Sequence, residues 1–337
     1  MATKTPMKVV FGAMTIGKPG IEMTRVFTLD DTTKLLSTFQ SYGHNEVDTA
    51  RVYGEGSSEE YLGDIDWKSK GIIMDTKLYP TEGKGALFPI SYSHRSEDIR
   101  RGLMDSLKAL KADKIDMFYL HGPDRKVPWE DTLREVNALH KEGYFSRFGI
   151  SNYYSFEVAQ ICEICKRNGW IMPSVYQGLY NALHRKVEDE LFPCLRQYNI
   201  SLYCFNPLAG GFLTGKFKRD TQDEDVEAGG RFDPKRLQGQ LHRGRYWNDA
   251  MFDALDILRP VAEKHRLTES QCALRWLTHH SMMKKELGDA VIIGASSNKH
   301  LEENLKALDE GPLPDDIVEA LNLGWERIRG PPLKYWH

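Results

Sequence analysis

Three features of this 337-residue sequence together predict a (β/α)8 barrel. Short β-rich runs alternate with longer amphipathic helical patterns eight times along the chain. Such an alternation implies a parallel sheet with right-handed crossover connections. The short runs are apolar on successive residues, as is typical of strands covered on both faces, and their number favours a closed barrel over an open sheet.

The predicted strands and helices follow one another in strict order. The strands are expected at 8–12, 46–48, 72–77, 115–120, 146–150, 174–177, 201–205 and 290–293. The helices are expected at 31–42, 58–65, 96–111, 129–141, 156–168, 187–198, 247–265 and 298–308. An extra helix is predicted at 268–279, because Thr268 and Gln271 have the spacing of a capping box, which satisfies free N–H groups at a helix start.

Two segments interrupt this rhythm. Residues 216–246 are polar and highly charged, and an insertion of this length is either a functional loop or a disordered segment. The end of the chain, GPPLKYWH, is irregular but aromatic. We expect both segments to lie over the C-terminal rim of the barrel. Since no internal repeat is present, we expect a single barrel domain that spans residues 1–337.

The composition excludes several classes of partner. The chain is 41% hydrophobic and 28% charged, which is ordinary for a globular protein. A formal net charge of -3 gives no reason to expect nucleic acid or a membrane surface as partner. No apolar run approaches the roughly 20 residues needed to span a bilayer, and the first residues lack the pattern of a signal peptide. These features predict a cytoplasmic protein.

The five cysteines support a reducing compartment, because an odd number indicates free thiols. Cys162 and Cys165 form a CxxC that fits either a redox pair or half of a metal site. Without a second CxxC or a nearby histidine cluster, two buried packing residues on one helix are the favoured interpretation.

Polar side chains close six of the predicted apolar strands. They are Asp48, Lys77, His121, the pair Ser151 and Asn152, Gln177, and Asn206. A single polar residue at a strand end often only caps the next helix. Six of them indicate a functional site, because the carboxyl ends of barrel strands meet at the rim that carries active sites.

Four of the candidate residues have complementary acid–base chemistry. A buried Lys77 ammonium beside the Tyr53 hydroxyl would lower the tyrosine pKa from its usual value near 10. Asp48 would compensate the buried ammonium. Tyr53 could then give a proton to a carbonyl oxygen that His121 orients. A hydride would have to come from a cofactor, because no side chain supplies one.

Two alternatives account for part of this pattern. Asp48 and His121 could belong to a metal site, as in barrel hydrolases, but no HxH follows the first strand and further ligands are lacking. Tyr53 alone, in VYGEGSS, could be a turn residue beside two glycines. The residues by themselves leave that alternative open.

The motifs, taken in order, resemble the aldo-keto reductase superfamily. They are EVDTARVYGEGSSEEYLG, MDTKL, FYLHGPD, GISNY, YQGLYN, FNPLAGGFLTGKF and IIGASSNKHLEENL, between about Lys8 and Leu308. GGFLTGK followed by RGRYW is similar to the aflatoxin-aldehyde reductase subgroup, which includes succinic-semialdehyde reductases.

This resemblance implies a catalytic tetrad of Asp48, Tyr53, Lys77 and His121, and a site without metal. It also implies an NADP(H) site. The carboxamide of the nicotinamide would be held by Ser151, Asn152 and Gln177, and its ring would stack on Phe205. The pyrophosphate would lie against Asn206, Pro207, Leu208, Gly210, Gly211 and Lys216, with Arg231 folded over the cofactor. The adenosine half would contact Gly294, Ser296, His300, Glu303 and Asn304.

The sequence departs from the family pattern at two places. His300 stands where relatives carry Arg or Gln, so the preference for NADP rests on Lys216, Arg231, Lys299 and the usual habit of the family. The tail differs from the Arg-containing ends that suit acidic aldehydes, which argues against a carboxylated substrate. Tyr335 and Trp336 instead indicate an apolar or aromatic pocket wall.

The function expected from the sequence is NADPH-dependent reduction of aldehydes or ketones. The partner would be a small carbonyl substrate, and the subgroup resemblance implies a homodimer. A second hypothesis is a cofactor-binding regulatory subunit similar to the potassium-channel β subunits, which keep a tetrad. The RGRYW segment and the lack of a long N-terminal inactivation peptide favour the enzyme.

Overall fold

Eight parallel strands form a closed barrel in the computed structural model, which describes residues 4–84, 88–330 and 333–337. Each strand pairs with its neighbours in the sequence, and the eighth pairs with the first. The strands are β1 (Lys8–Gly12), β2 (Glu46–Asp48), β3 (Ile73–Leu78), β4 (Ile115–Leu120), β5 (Phe145–Ser151), β6 (Pro173–Leu179), β7 (Ser201–Phe205) and β8 (Ala290–Ile293). The predicted (β/α)8 barrel is therefore confirmed.

Eleven α-helices lie within the described ranges. They are α1 (Leu29–Ser41), α2 (Ser57–Asp64), α3 (Ser96–Ala109), α4 (Trp129–Lys141), α5 (Ser155–Asn168), α6 (Leu191–Gln197), α7 (Leu237–Tyr246), α8 (Asp249–Lys264), α9 (Glu269–His279), α10 (Asn298–Asp309) and α11 (Asp315–Ile328). The capping box of α9 is present, with Thr268 and Gln271 as its two members. None of these helices is long and apolar enough to span a membrane.

The expectation of a loop or disordered segment at 216–246 was wrong for its last ten residues, which form α7. This helix has few apolar residues, so periodicity gives little signal. Tertiary contacts hold it instead: Tyr246 has no exposed surface, and Arg243 Nε donates to the Phe232 carbonyl at 2.7 Å. Helix α6 also begins later than predicted, at Leu191, because residues 187–190 turn before the helix starts.

Helix α11 was not predicted, although the sequence carries a signal for it. Asp315 and Asp316 occupy its first turn, after Pro314, and acidic residues are favoured there by the helix dipole. Its buried residues Ile317, Leu321 and Ile328 recur at helical spacing. The helix packs against α8 beside the barrel.

Two apolar layers stabilise the barrel. The larger one lies between strands and helices, and it includes Cys162 and Cys165, both buried and free, as the packing interpretation predicts. The smaller one fills the barrel interior with Val10, Met117, Tyr119, Val175, Tyr203, Ala290 and Ile292. The Tyr119 ring crosses this interior over Gly149, where a Cβ would come within 2.3 Å of the ring.

Replacing Gly149 by alanine should lower the free energy of unfolding by about 1–3 kcal/mol, because the added methyl overpacks the interior against Tyr119 and Met117. Urea unfolding followed by circular dichroism measures the change. Gly311→Ala is the matched control, since no atom lies within 4 Å of its Cβ position. Equal stability of the two variants would show that the interior has spare room.

Candidate active site

The polar residues predicted at the strand ends gather at the C-terminal rim of the barrel. Asp48 ends β2, Lys77 lies in β3, and His121 directly follows β4. Ser151 ends β5, and Gln177 lies in β6. Parallel pairing places these strand ends side by side, so their inward-facing side chains share one space.

A buried ion pair joins Lys77 and Asp48. Lys77 has no exposed surface, and its Nζ lies 2.5 Å from Asp48 Oδ2. The same ammonium donates to the Thr49 carbonyl at 2.6 Å, and Gln177 Nε2 donates to Asp48 Oδ1 at 2.8 Å. Burial alone would lower the pKa of Lys77, but Asp48 and Tyr53 outweigh it and the pKa rises. Lys77 is therefore a fixed positive charge.

Tyr53 begins a 3-10 turn, Tyr53–Gly56, whose geometry requires left-handed backbone at Gly54 and Gly56. Lys77 Nζ lies 4.9 Å from the centre of the Tyr53 ring. The expected lowering of the tyrosine pKa was wrong in its net direction. Burial raises the pKa of Tyr53 above 10, and the nearby Lys77 opposes that rise without cancelling it. The phenol thus keeps its proton at neutral pH.

His121 faces the Tyr53 ring edge-on, with ring centres 5.6 Å apart. Its Nδ1 is buried without a hydrogen-bond partner in the described part of the protein. Burial lowers the pKa of His121 well below 6.5, and the positive charge of Lys77 lowers it further. The imidazole is therefore neutral at pH 7, and it can hydrogen-bond to an oxygen without adding a full charge.

A second buried ion pair, which the sequence analysis missed, supports the turn that carries Tyr53. Arg51 Nη1 lies 2.6 Å from Glu59 Oε2, and Glu59 Oε1 accepts from the Thr76 hydroxyl at 2.6 Å. Gly56 leaves room for this arginine, because a Cβ there would lie 1.7 Å from Arg51 Nη2. The pair therefore ties the Tyr53 turn and α2 to strand β3.

The residues predicted to hold a carboxamide lie beside this group, and their amide hydrogens already have protein partners. Asn152 Nδ2 donates to Ser151 Oγ and to the His121 carbonyl, both at 2.9 Å. Gln177 donates to Asp48, as described above. Phe205 is half-buried at the end of β7.

The segment predicted to contact the pyrophosphate follows β7 as a 3-10 turn, Ala209–Thr214. Asn206, Ala209, Gly210 and Gly211 have positive φ there, with Pro207 and Leu208 between them and Lys216 exposed just beyond. Successive left-handed residues turn backbone N–H groups toward one side, and such turns bind anions.

Arg231 comes from the polar insertion and reaches the same rim. Its Nη2 lies 3.8 Å from the Cβ position of Gly294, the residue that follows β8. The groups that act on Arg231 electrostatically are Tyr53, Tyr246 and Arg25, and none of them is a carboxylate. The guanidinium therefore offers its charge to an anion between β8 and Tyr53.

The residues predicted to contact adenosine lie at the start of α10, which Ser297 caps by accepting from the His300 N–H. Ser296 Oγ lies 3.0 Å from His300 Nδ1. Glu303 lies 3.9 Å from the exposed Lys299 ammonium, and Asn304 is partly buried one residue further.

The tail reaches the rim, and its aromatic residues pack against the loop and helix starts that follow β5 and β6. Tyr335 is buried, and its hydroxyl contacts Glu190 and accepts from the Ser155 N–H at 3.2 Å. The Trp336 ring lies against Tyr154 at a tilt of 32°, with ring centres 3.7 Å apart. The Tyr335 hydroxyl is thus held between the starts of α5 and α6, and the role of Tyr335 and Trp336 as a pocket wall stays a prediction. Pro331 and Pro332 of the predicted tail lie outside the described residues.

His337 is the tail residue closest to the candidate site. Its N–H donates to the Asn152 carbonyl at 3.1 Å, and its Nδ1 lies 3.3 Å from the Tyr79 hydroxyl. The Tyr79 ring in turn lies edge-on to His121, with centres 5.5 Å apart. Burial lowers the pKa of His337 to about 4, so its imidazole is uncharged at neutral pH.

No cluster of three or more histidine, cysteine, aspartate or glutamate side chains in residues 4–84, 88–330 and 333–337 has the geometry of a metal site. The described part of the barrel thus offers no ligand set of the kind that a metal-dependent hydrolase needs.

Comparison with known proteins places the chain in a family. A profile of the aldo/keto reductase family matches residues 8–323. The chain belongs to the aldo/keto reductase family. The members of this family are oxidoreductases that act on carbonyl compounds with nicotinamide cofactors.

Individual relatives support the predicted subgroup. The chain is 50% identical to "Aldo-keto reductase pigE" of Monascus ruber, over 100% of this chain and 99% of that protein. It is 40% identical to "Aldo-keto reductase family 7 member A3" of Homo sapiens, over 95% and 94% of the two chains. It is 41% identical to "Aflatoxin B1 aldehyde reductase member 2" of Mus musculus, over 91% and 83%.

Replacing Asp48 by asparagine should lower the free energy of unfolding by about 3–5 kcal/mol, because the buried Lys77 charge loses its partner. Combining Asp48→Asn with Lys77→Met should restore most of that loss, since no buried charge then remains unpaired. Urea unfolding of both variants measures the difference. A double variant as unstable as Asp48→Asn would mean that the loss has another origin.

Proposed function

We propose that this protein reduces aldehydes and ketones to alcohols with NADPH, and that Tyr53 donates the proton. The observation that carries the proposal is the convergence of four side chains at one rim. A fixed ammonium, Lys77, lies under the ring of a protonated phenol, Tyr53, and a neutral imidazole, His121, lies at its edge. Asp48 neutralises the ammonium from the side.

Each of these groups has a separate task in carbonyl reduction. The bound nicotinamide would supply the hydride. Tyr53 holds a proton at neutral pH and can transfer it to the carbonyl oxygen. Lys77 stabilises the phenolate that remains, and His121 donates a hydrogen bond to the same oxygen. Preorganised charge of this kind is usually the largest contribution to catalysis.

The residues around the rim fit a dinucleotide. The left-handed turn after β7, the start of α10 and the uncompensated Arg231 offer three anion-binding features in a row. In (β/α)8 barrels, phosphates commonly bind at the loops after the seventh and eighth strands. Ser151, Asn152 and Gln177 would meet the carboxamide, with Phe205 against the ring. Ser296, His300, Glu303 and Asn304 would meet the adenosine.

The positions of the cationic side chains indicate that different cations bind different phosphates of the cofactor. Arg231 acts on Tyr53 and lies beside Gly294, so we assign it, with Lys216, to the pyrophosphate. Lys299 is exposed at the start of α10, next to His300, and we assign it to the 2′-phosphate that distinguishes NADPH from NADH.

We place the protein in the cytoplasm, and five free cysteines support this location because they suit a reducing compartment. The homodimer implied by the family resemblance stays a prediction, and size-exclusion chromatography with light scattering would test it.

Tyr53→Phe should lower kcat for aldehyde reduction by about 100-fold to 10,000-fold, because the proton donor is lost. NADPH binding, measured by fluorescence titration, should be nearly unchanged. Tyr180→Phe is the matched control: its hydroxyl is also buried and bonded, to Glu188, but it lies outside the site. Turnover by Tyr53→Phe equal to that of the control would place the acid elsewhere. Wild-type protein that binds NADPH but reduces no carbonyl would favour a regulatory subunit.

Arg231→Met and Lys299→Met should affect cofactor use differently. Loss of Arg231 should raise the Kd of NADPH and NADH alike by about 10-fold or more, because both contain the pyrophosphate. Loss of Lys299 should weaken NADPH alone. Arg219→Met is the control, since that arginine lies in the same insertion but pairs with Asp249, Asp253 and Asp256. A selective loss of NADPH in Arg231→Met would reverse the assignment.

A further inference from the structure

A buried carboxyl group that the proposed mechanism does not use lies inside the barrel below the candidate site. Asp75 belongs to β3, two residues before Lys77, so both side chains face the interior. It pairs in register with Asp48 on β2. Its side chain has no exposed surface, and neither carboxyl oxygen accepts a hydrogen bond from any N–H or hydroxyl group in the described ranges.

The cations near Asp75 already have other partners. Lys77 is paired with Asp48, and Lys8 Nζ lies 2.5 Å from Glu46 Oε2. Arg147 Nη2 lies 3.1 Å from Glu46 Oε1 and 2.5 Å from Asp116 Oδ2, but 3.9 Å from Asp75 Oδ1. Asp75 is therefore the carboxyl group of this cluster that lacks a close ionic partner.

The charges that face Asp75 balance without it. The titratable groups around it are Lys8, Glu46, Asp48, Lys77, Asp116, Tyr119, Arg147 and Tyr203. Among them, the two lysines and the arginine match the three carboxylates. Both tyrosines are neutral, since burial raises their pKa. An ionised Asp75 would leave one negative charge uncompensated at a position with no exposed surface, at a high cost in free energy.

We propose that Asp75 is a neutral carboxylic acid that shares its proton with the Glu46 carboxylate, and that its neutrality keeps the field of Lys77 directed at Asp48 and Tyr53. Asp75 is then a positioning residue for the proton transfer, a role that rests on the proposed function of Tyr53. Burial and the adjacent Glu46 raise the pKa of Asp75 well above 3.8. The pKa of Glu46 stays low: burial would raise it, but Lys8 and Arg147 outweigh that effect.

The protonation state can be read without any assay of activity. In the wild-type protein at about pH 7, infrared spectroscopy should show the carbonyl stretch of a protonated carboxylic acid, shifted by ¹³C labelling of aspartate. Asp75→Asn should remove the band. Glu46→Gln should remove it as well, because Asp75 then becomes the carboxylate that balances Lys8 and Arg147. Absence of the band from the wild-type protein would overturn the proposal.

Stability gives a second test with a defined sign. Unfolded Asp75 ionises above its ordinary pKa near 3.9, whereas native Asp75 keeps its proton, so rising pH favours the unfolded chain. Asp75→Asn removes this penalty and should raise the Tm at about pH 8, with a gain that shrinks toward pH 4. Asp116→Asn is the matched control, because it removes an ionised partner of the same arginine and should lower the Tm at about pH 8. A lower Tm for Asp75→Asn at this pH would mean that Asp75 is ionised.

The pH dependence of aldehyde reduction tests the positioning role. In wild-type protein, kcat/KM should decline at alkaline pH as Tyr53 loses its proton. Asp75→Asn should keep kcat at about pH 7 within about 3-fold of wild type and should leave the pH of this decline unchanged. Glu46→Gln should move that decline to higher pH, since an ionised Asp75 would weaken the effect of Lys77 on Tyr53. An unmoved decline in Glu46→Gln would overturn the positioning role, even where the infrared band confirms the shared proton. Failure of the proposed function would appear separately, as absence of turnover in the wild-type protein.

Discussion

A lysine ammonium with no exposed surface is the constraint around which the upper half of this barrel is organised. Lys77 stays charged because its ammonium donates hydrogen bonds to Asp48 and to the Thr49 carbonyl, both within 2.6 Å. Asp48 in turn is fixed from its other side by Gln177. The strands β2, β3 and β6 are thereby connected through one charge, and Tyr53 lies above that charge with its proton retained. Loss of any member would change the electrostatic field at the phenol.

Much of the fold could be predicted because the pattern of apolar and polar residues that marks each strand or helix lies within a short stretch of sequence. Strands β1, β2, β4, β7 and β8 have the predicted bounds, and all of these except β2 are short, largely apolar runs. Helix α7 could not be predicted in the same way. It is polar, and its place depends on contacts of Tyr246 and Arg243 with distant residues. Helix α11 was missed even though its acidic first turn and apolar spacing are visible in the sequence.

The candidate site, like the fold, could be predicted from the sequence only in part. Residue types at strand ends were sufficient to place Asp48, Lys77, His121, Ser151 and Gln177 at one rim. The Asp48–Lys77 pair was predicted from its chemistry, but the bonds from Lys77 to the Thr49 carbonyl and from Gln177 to Asp48 were not, because hydrogen bonds across a barrel depend on side-chain directions. The direction of the shift in the Tyr53 pKa was predicted wrongly. The chemistry of the sequence suggests that Lys77 lowers this pKa, but it does not show how strongly burial of Tyr53 raises it. The contacts of the Tyr335 hydroxyl with Ser155 and Glu190 could not be predicted for the same reason.

The support under the Tyr53 turn limits how this protein can change over time. Gly56 has no room for a side chain while Arg51 is present, and Arg51 is buried against Glu59. A substitution of Glu59 alone leaves a guanidinium without its counter-charge, and a larger residue at position 56 displaces that guanidinium. We therefore expect Arg51, Gly56 and Glu59 to be retained together or replaced together during evolution. This coupling holds although none of the three residues takes part in the proposed chemistry of Tyr53.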